Sequence, residues 1–368
     1  MDPRTQQMAD VLVNYSLEVR PGDWVSINSG IAGEPLVAAC VAAVVQSGGH
    51  PTVQFNSDLV QESMFRHSPD DHLTWVSPLA SLTVEQADVL LHILAPTNTK
   101  ALSAVDPNKM AMRNKAHEPL MEAQMQRETQ GLRWNVCAFP TLAGAQDAGM
   151  SLRNYEDFVY GAGLLTEPDP VEAWKRLGER QQHLVEWLQD KSMLRISGPD
   201  TDLAVGIKGR TWLNDDGHKN FPGGEVFTGP IEDSVEGTVA FTWPGFYNGR
   251  EVTGVRLTFR GGTVVDAHAS GDDAFLQEML SMDDGAKRLG EFAIGTNYGI
   301  QRMTKSVLFD EKIGGSLHMA LGASIPGTGG VNKSALHWDM VYNLRDGGEI
   351  YADGELLSRN GEFVIGLS

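Results

Sequence analysis

The hydrophobic periodicity of this chain changes once, near residue 192, and that change restricts it to a fold in two parts. Upstream, helical and strand-length patterns alternate. Residues 3–19 place Met8, Val11, Leu12, Tyr15 and Leu17 toward one side of a helix, Pro21-Gly22 breaks the chain, and residues 23–28 (DWVSIN) read as a short strand. Residues 35–46 form an Ala- and Val-rich helix ended by Gly48-Gly49, and residues 51–55 give the next strand. Residues 88–94 (DVLLHIL) and 133–139 (RWNVCAF) are apolar runs of strand length, separated by a long polar helix over 108–129. A last long helix covers 168–190. Helices alternating with apolar strands predict a mostly parallel sheet flanked by helices.

Downstream, strand-like segments follow one another directly: 203–207, 239–243, 252–259 and 263–270. Their links are rich in Gly, Asp and Asn, Gly261-Gly262 has the character of a hairpin turn, and a helix over 274–289 interrupts the series. The predicted fold class is α/β. A helix-flanked, mostly parallel sheet domain occupies residues 1–191, and a mixed, largely antiparallel β-rich domain occupies 192–368. The chain length of 368 residues suits two domains.

Charge and cysteine usage exclude several partners. A formal net charge of −19 repels phosphate backbones, so no nucleic-acid partner is expected. The two cysteines, Cys40 and Cys137, sit in apolar surroundings and read as small buried residues. With no CxxC pair there is no thiolate zinc site. The N-terminal stretch is polar and periodic, without a signal-peptide core, and no apolar run approaches the roughly 20 residues of a membrane span. The expectation is a cytoplasmic protein with no membrane partner.

Three local patterns mimic motifs. Ser29-Gly30-Ile31-Ala32-Gly33 joins a strand to a helix but lacks the GxGxxG spacing, so it reads as a tight structural turn. Residues 327–334 (GTGGVNKS) resemble a phosphate-binding loop, but Asn332 stands where Gly must precede the Lys. His117-Glu118 opens like HExxH, yet Met121 occupies the second His position. The histidines at 50, 67, 72, 92, 183, 218 and 268 have no partner at useful spacing and read as surface or packed-core residues.

A constellation in the C-terminal half differs. If SALHWDMVYNL is a strand, His337 and Asp339 face one side of it and present a nitrogen and a carboxylate to one pocket. His318 lies in another apolar segment, SLHMAL. A buried imidazole needs a partner, and a metal ion is one such partner. Glu225, after Gly223-Gly224 and before Val-Phe, reads as a half-buried carboxylate whose glycines let the backbone pass close to a neighbour. Glu291 is the lone charge in LGEFAIG. Three carboxylates and two imidazoles suffice for two divalent ions, which activate a water and polarise a carbonyl. Each residue taken alone is also compatible with a hydrogen-bonded core group.

The stretches NFPGGEVFTGPIEDSVEG (220–237), LGEFAIGTN (289–297), LFDEKIGGSLHMALG (308–322) and NKSALHWDM (332–340) resemble the aminopeptidase T/aminopeptidase S family of metallopeptidases. The opening LVNYSLEVRPGDWVSI is similar to that family's start, so the likeness covers nearly the whole chain. The resemblance implies that Glu225 of PxGEVFT, Glu291 of LGE, His318 of LHxALG, and His337 and Asp339 of HWD are metal ligands, with Glu291 bridging two ions. It further implies a C-terminal catalytic domain, a homodimer enclosing the active-site cavity, and release of N-terminal residues from short peptides. Two divalent ions per subunit, drawn from Zn, Co, Mn or Mg, suit this mixture of carboxylate and imidazole. A metal-activated water would attack the first peptide carbonyl, with Glu291 assisting proton transfer.

The family pattern breaks at one place. It calls for a catalytic Tyr seven residues after the LHxALG His, and that position here is Ile325. Tyr298 and Tyr342 are candidate substitutes, each also readable as a packing residue, and Lys333 is a candidate cation nearby. Ring-cleaving dioxygenases of the dihydroxypyridine type resemble the same family and use one iron. His318, His337 and Asp339 match a two-His-one-carboxylate triad, but Glu225 and Glu291 are then superfluous. A non-catalytic metal- or peptide-binding homologue is the third reading, which Ile325 keeps open.

Overall fold

The alternating runs of the first half form one parallel sheet, in the spatial order His50–Asn56, Trp24–Gly30, Val89–Leu94, Arg133–Ala138 and Asn220–Phe221. This computed structural model describes residues 2–366. The sheet belongs to a unit made of Met1–Val171 and Gly217–Pro222. Val89, Leu90, Leu91 and Ile93 are all buried, as a strand covered on both faces requires. The helices Glu34–Gln46 and Pro107–Glu128 fall in the connections between consecutive strands, the placement that parallel pairing demands. At the Ser29–Gly33 turn a Cβ on Gly30 would lie 2.3 Å from the Ala95 carbonyl oxygen, and one on Gly33 2.3 Å from Ser29 Oγ. These glycines serve close packing of the chain on itself.

The helices Asp58–His67 and Pro78–Gln86 carry no sequence expectation. Their apolar residues Leu59, Val60, Met64, Leu79 and Leu82 are exposed, so no buried stripe announces them.

The second unit comprises Glu172–Asp216 and Gly223–Ser368. It contains an antiparallel eight-stranded sheet and an antiparallel five-stranded sheet. The larger runs in the order Thr263–His268, Arg256–Arg260, Glu236–Ala240, Thr201–Gly206, Met193–Gly198, Glu349–Ala352, Glu355–Arg359 and Glu362–Phe363. Leu194, Ile196, Leu203 and Val205 of this sheet share one core with Phe292, Leu317, Met319, Trp338 and Met340 of the smaller one. In this unit the strand expected over 239–243 runs instead over Glu236–Ala240, and two more elements differ from the sequence expectation. The strand over 252–259 is split into Arg250–Val252 and Arg256–Arg260, with Gly254 between them at φ +62°. The helix over 274–289 ends at Leu280, because the Asp283 carboxylate caps Ala286 N–H at 2.9 Å and starts a new turn. Leu289 already opens a strand.

Candidate metal centre

The five-stranded sheet positions the site. Its order is His337–Asn343, Ser316–Gly322, Leu289–Gly295, Glu225–Thr228 and Leu213–Asp215, every neighbour antiparallel. Residues paired across strands share a face, and residues two apart along a strand do too. One face therefore carries Val226, Phe292, Ile294, Leu317, Met319, Trp338, Met340 and Tyr342, which are buried in the core. The opposite face carries Asp215, Glu225, Glu291, His318, His337 and Asp339. Between them on that face lie Ala293, Gly295, Ala320 and Gly322, whose small side chains leave the larger polar ones room to converge.

A β-bulge at Gly290 makes this parity work. Leu289 pairs with Leu321 and Glu291 with Ala320, so two steps on one strand meet one step on the other. Leu289 thus joins the core while Glu291 turns to the polar face. A Cβ at position 290 would lie 2.1 Å from the Ala323 carbonyl oxygen, so the Gly of LGE is required by space. Gly224 has the same character: φ is +121° and a Cβ would lie 2.4 Å from that of Asn297. Gln181 Nε2 donates to the carbonyls of Glu225 at 2.7 Å and Asp215 at 3.1 Å, fixing the paired strands at that edge.

The five residues singled out from sequence are brought together. Glu291 lies between the imidazoles, with Oε1 3.6 Å from His318 Nε2 and Oε2 3.3 Å from His337 Nε2. His337 Nε2 is 3.5 Å from Asp339 Oδ1, and His318 Nδ1 is 3.6 Å from Glu225 Oε2. Each ring is oriented by a backbone carbonyl: His318 Nδ1 donates to Glu311 O at 3.1 Å and His337 Nδ1 to Ala323 O at 2.9 Å. With Nδ1 so engaged, Nε2 is the nitrogen that each ring turns to Glu291.

Three further residues, which the sequence does not single out, enter the site. Glu311 and Lys312 come from the loop after the short helix Val307–Asp310, and Asp215 comes from the edge strand. The loop reaches the polar face because Gly295 admits it, the Ile313 carbonyl lying 2.2 Å from where a Cβ would stand. The cation beside the carboxylates is Lys312, whose Nζ is 3.4 Å from Glu225 Oε1. Lys333 is exposed and makes no ion pair among the described residues. Tyr342 lies on the core face, and the Tyr298 hydroxyl donates to the Gly361 carbonyl at 2.7 Å. Ile325 is half-buried in the loop between the two His strands.

Among the described residues, two groups have the donor set for a metal ion, each with its ligand atoms within 4.8 Å of one another: Glu225, Glu311 and His318, and Glu291, His337 and Asp339. Glu225 Oε2, His318 Nε2 and Asp339 Oδ1 are buried without a hydrogen-bond partner, which protein interiors rarely tolerate. Imidazole nitrogens and carboxylate oxygens in this geometry fit divalent cations. The electrostatics match. Burial opposes the imidazolium of His318, but Glu291 and Glu225 hold its pKa at about 10. Burial opposes that of His337 too, and Asp339 with Glu291 raise it to about 12. Asp339 is drawn down to about 2 against its burial, by His337 first. Burial, reinforced by Asp339, pushes the Glu311 carboxyl well above the usual range. So dense a set of perturbed groups on one buried sheet face makes it the candidate functional site.

Comparison with known proteins gives the family. The thermophilic metalloprotease (M29) family matches residues 1–363. Aminopeptidase 2 of Geobacillus stearothermophilus is 28% identical over 92% of this chain and 91% of its own length. The solved structure of wild-type AmpT from Thermus thermophilus superposes with a TM-score of 0.85 at 23% identity, covering 99% of each chain. The 2,5-dihydroxypyridine dioxygenase of Pseudomonas putida KT2440 has a TM-score of 0.66 at 15% identity, covering 100% of this chain and 98% of that one, a likeness of fold. The parallel sheet with flanking helices followed by antiparallel sheets is thus a shared architecture, and the chain belongs to the thermophilic metalloprotease family M29 and is a divalent-metal-dependent peptidase.

Proposed function

We propose that this metallopeptidase is an aminopeptidase that holds two divalent ions and releases N-terminal residues from short peptides. The observation that carries the reading is Glu291, whose two carboxylate oxygens face the free nitrogens of His318 and His337 separately. In this reading Glu225, Glu311 and His318 would hold one ion and Glu291, His337 and Asp339 the other, with Glu291 also beside His318. The naming of Aminopeptidase 2 among the relatives supports the exopeptidase character.

Bound ions supply Lewis acidity, lowering the pKa of a water and polarising the scissile carbonyl. The chain does the rest. In the ion-free chain, against its burial, both imidazoles hold the Glu291 carboxylate below the usual range, and a carboxylate at that place would take a proton from the water. It can return that proton to the leaving amine. His337, 36% exposed against 1% for His318, marks the side from which a peptide enters. The same reading includes a homodimer enclosing the cavity, in the cytoplasm, with Zn, Co, Mn or Mg as the ions.

Metal analysis of the purified protein, alongside a panel of aminoacyl amides and dipeptides, tests this. Two equivalents of metal and chelator-sensitive release of N-terminal residues are expected. One equivalent of iron with oxygen uptake on a dihydroxypyridine would replace the reading with a dioxygenase. Peptide binding without turnover under any metal would replace it with a binding homologue. Light scattering of the purified protein checks the dimer.

A further inference from the structure

A lysine ammonium is rarely buried, because it loses its hydration, and it persists in an interior only where carboxylates replace that water. The Lys312 side chain is 1% exposed. Its Nζ lies 3.4 Å from Glu225 Oε1, 3.5 Å from Glu311 Oε2 and 3.7 Å from Asp215 Oδ2. Glu225 and Glu311 belong to one ligand group with His318, whereas Asp215 belongs to neither group. The ammonium therefore stands between two candidate ligands and a carboxylate that has no place among them. Its backbone is fixed as well, since the Lys312 carbonyl accepts from Asn297 N–H at 3.1 Å.

The charge of the face closes only if this lysine is included. Asp215, Glu225, Glu291, Glu311 and Asp339, when ionised, carry five negative charges. Two divalent ions neutralise four of them, and with both imidazoles neutral as ligands the fifth is left for Lys312. A buried centre with an uncompensated charge is costly, and neighbouring carboxylates without a cation between them relieve repulsion by protonating or moving apart.

We propose that Lys312 is a positioning residue that acts as the third cation of the centre: it balances Asp215, orients Glu225 and Glu311, and limits the centre to two divalent ions. This rests on the two-ion reading. Lys312 faces the ligand oxygens from the side of Asp215 and needs no contact with substrate. Its removal disturbs ion binding before any chemistry, and removing the surplus carboxylate as well compensates the loss.

The test is calorimetric titration of the chelated protein with Mn²⁺ alone, with metal content read independently by elemental analysis. Wild type, Lys312→Met, Asp215→Asn and the double variant are compared, and circular dichroism checks that each is folded. Lys312→Met should weaken one of the two ions by about tenfold or more, the usual cost of removing a group that orients ligands. The double variant should recover most of that loss, which a lysine that merely fills space would not allow. Asp215→Asn alone, which leaves the ammonium in excess, should weaken the same ion, and it decides the matter if Lys312→Met does not fold. Two ions bound by Lys312→Met with unchanged or tighter affinity, no recovery in the double variant, or unchanged binding in Asp215→Asn would each overturn the proposal with the two-ion reading intact. A wild type that takes up one ion removes the two-ion reading itself, and this inference with it.

Discussion

Gly295 and Ile313 lie so close that a single added methyl would bring them into collision: a Cβ on Gly295 would sit 2.2 Å from the Ile313 carbonyl oxygen. That contact lets the loop bearing Glu311 and Lys312 lie against the strand bearing Glu291. Gly295→Ala should push the loop away, costing about 1–3 kcal/mol as overpacking does and weakening metal binding at the Glu225 group. Gly161 is the control: it lies near the end of the helix Leu152–Ala162, and a Cβ there meets nothing within 4 Å. Gly161→Ala should leave metal binding alone and hold or slightly raise the unfolding temperature. Equal metal affinity in Gly295→Ala and wild type would show that the loop tolerates the methyl.

Glu291→Gln preserves the shape of the side chain and removes its charge. The position between His318 and His337 then has an amide, which neither shares two ions nor accepts a proton from water. Turnover should fall by about 10²-fold or more, the range for losing a general base, with loss of one metal equivalent. Steady-state hydrolysis of a dipeptide and metal analysis on one preparation read both effects. A variant with full activity and full metal content would remove Glu291 from the mechanism.

In the two-ion reading, protons and ions compete for this centre in a set direction. The folded-state pKa values of His318 and His337, about 10 and about 12, lie above that of an unfolded imidazole. In the chelated protein their contribution to stability is whole below about pH 6.5 and is lost as pH rises through the folded values. Asp339, drawn down to about 2, contributes above the ordinary aspartate range and is lost as pH falls through its folded value. Ion binding displaces the imidazole protons and so strengthens with pH. The gap in unfolding temperature between metal-loaded and chelated protein should widen from pH 6 to pH 9. A constant or narrowing gap would mean that the imidazoles are not displaced.

The alternation of His318 and Asp339 with the apolar residues Met319, Trp338 and Met340 is visible in the sequence, because a strand with one polar and one core face writes a period of two. Glu225 and Glu291 stand out as charges in apolar runs. Glu311 and Lys312 do not: DEK reads as an ordinary solvated charge cluster, and only the approach of their loop to Gly295 carries it onto the sheet. Asp215 lies in a polar turn-like run, and only its register opposite Glu225 brings it to the face. The bulge at Gly290 is equally hidden, since its reason is the Ala323 carbonyl more than thirty residues away. Local pattern thus reveals strands and their faces, whereas long-range register and loop routes decide which charges meet.

In the aminopeptidase reading the oxyanion needs a donor, and the side chain of Ile325 supplies none. Tyr342 is on the core face, and the Tyr298 hydroxyl already serves Gly361. Tyr247, on the hairpin strand Gly245–Tyr247, packs its ring 5.8 Å from that of Trp338, between His337 and Asp339 in sequence. Its ring thus packs from the core side, and burial and Asp339 push the phenol up while the His337 charge and the backbone N–H of His337 draw it down, so the hydroxyl lies at the His337 edge of the sheet. Tyr247→Phe should lower kcat by about 100-fold, the cost of one lost oxyanion donor, with little change in KM. Tyr298→Phe should leave kcat near wild type and lower the unfolding temperature by the loss of one hydrogen bond. Wild-type kcat in Tyr247→Phe would exclude this tyrosine and turn attention to the backbone amides of the loop that carries Ile325.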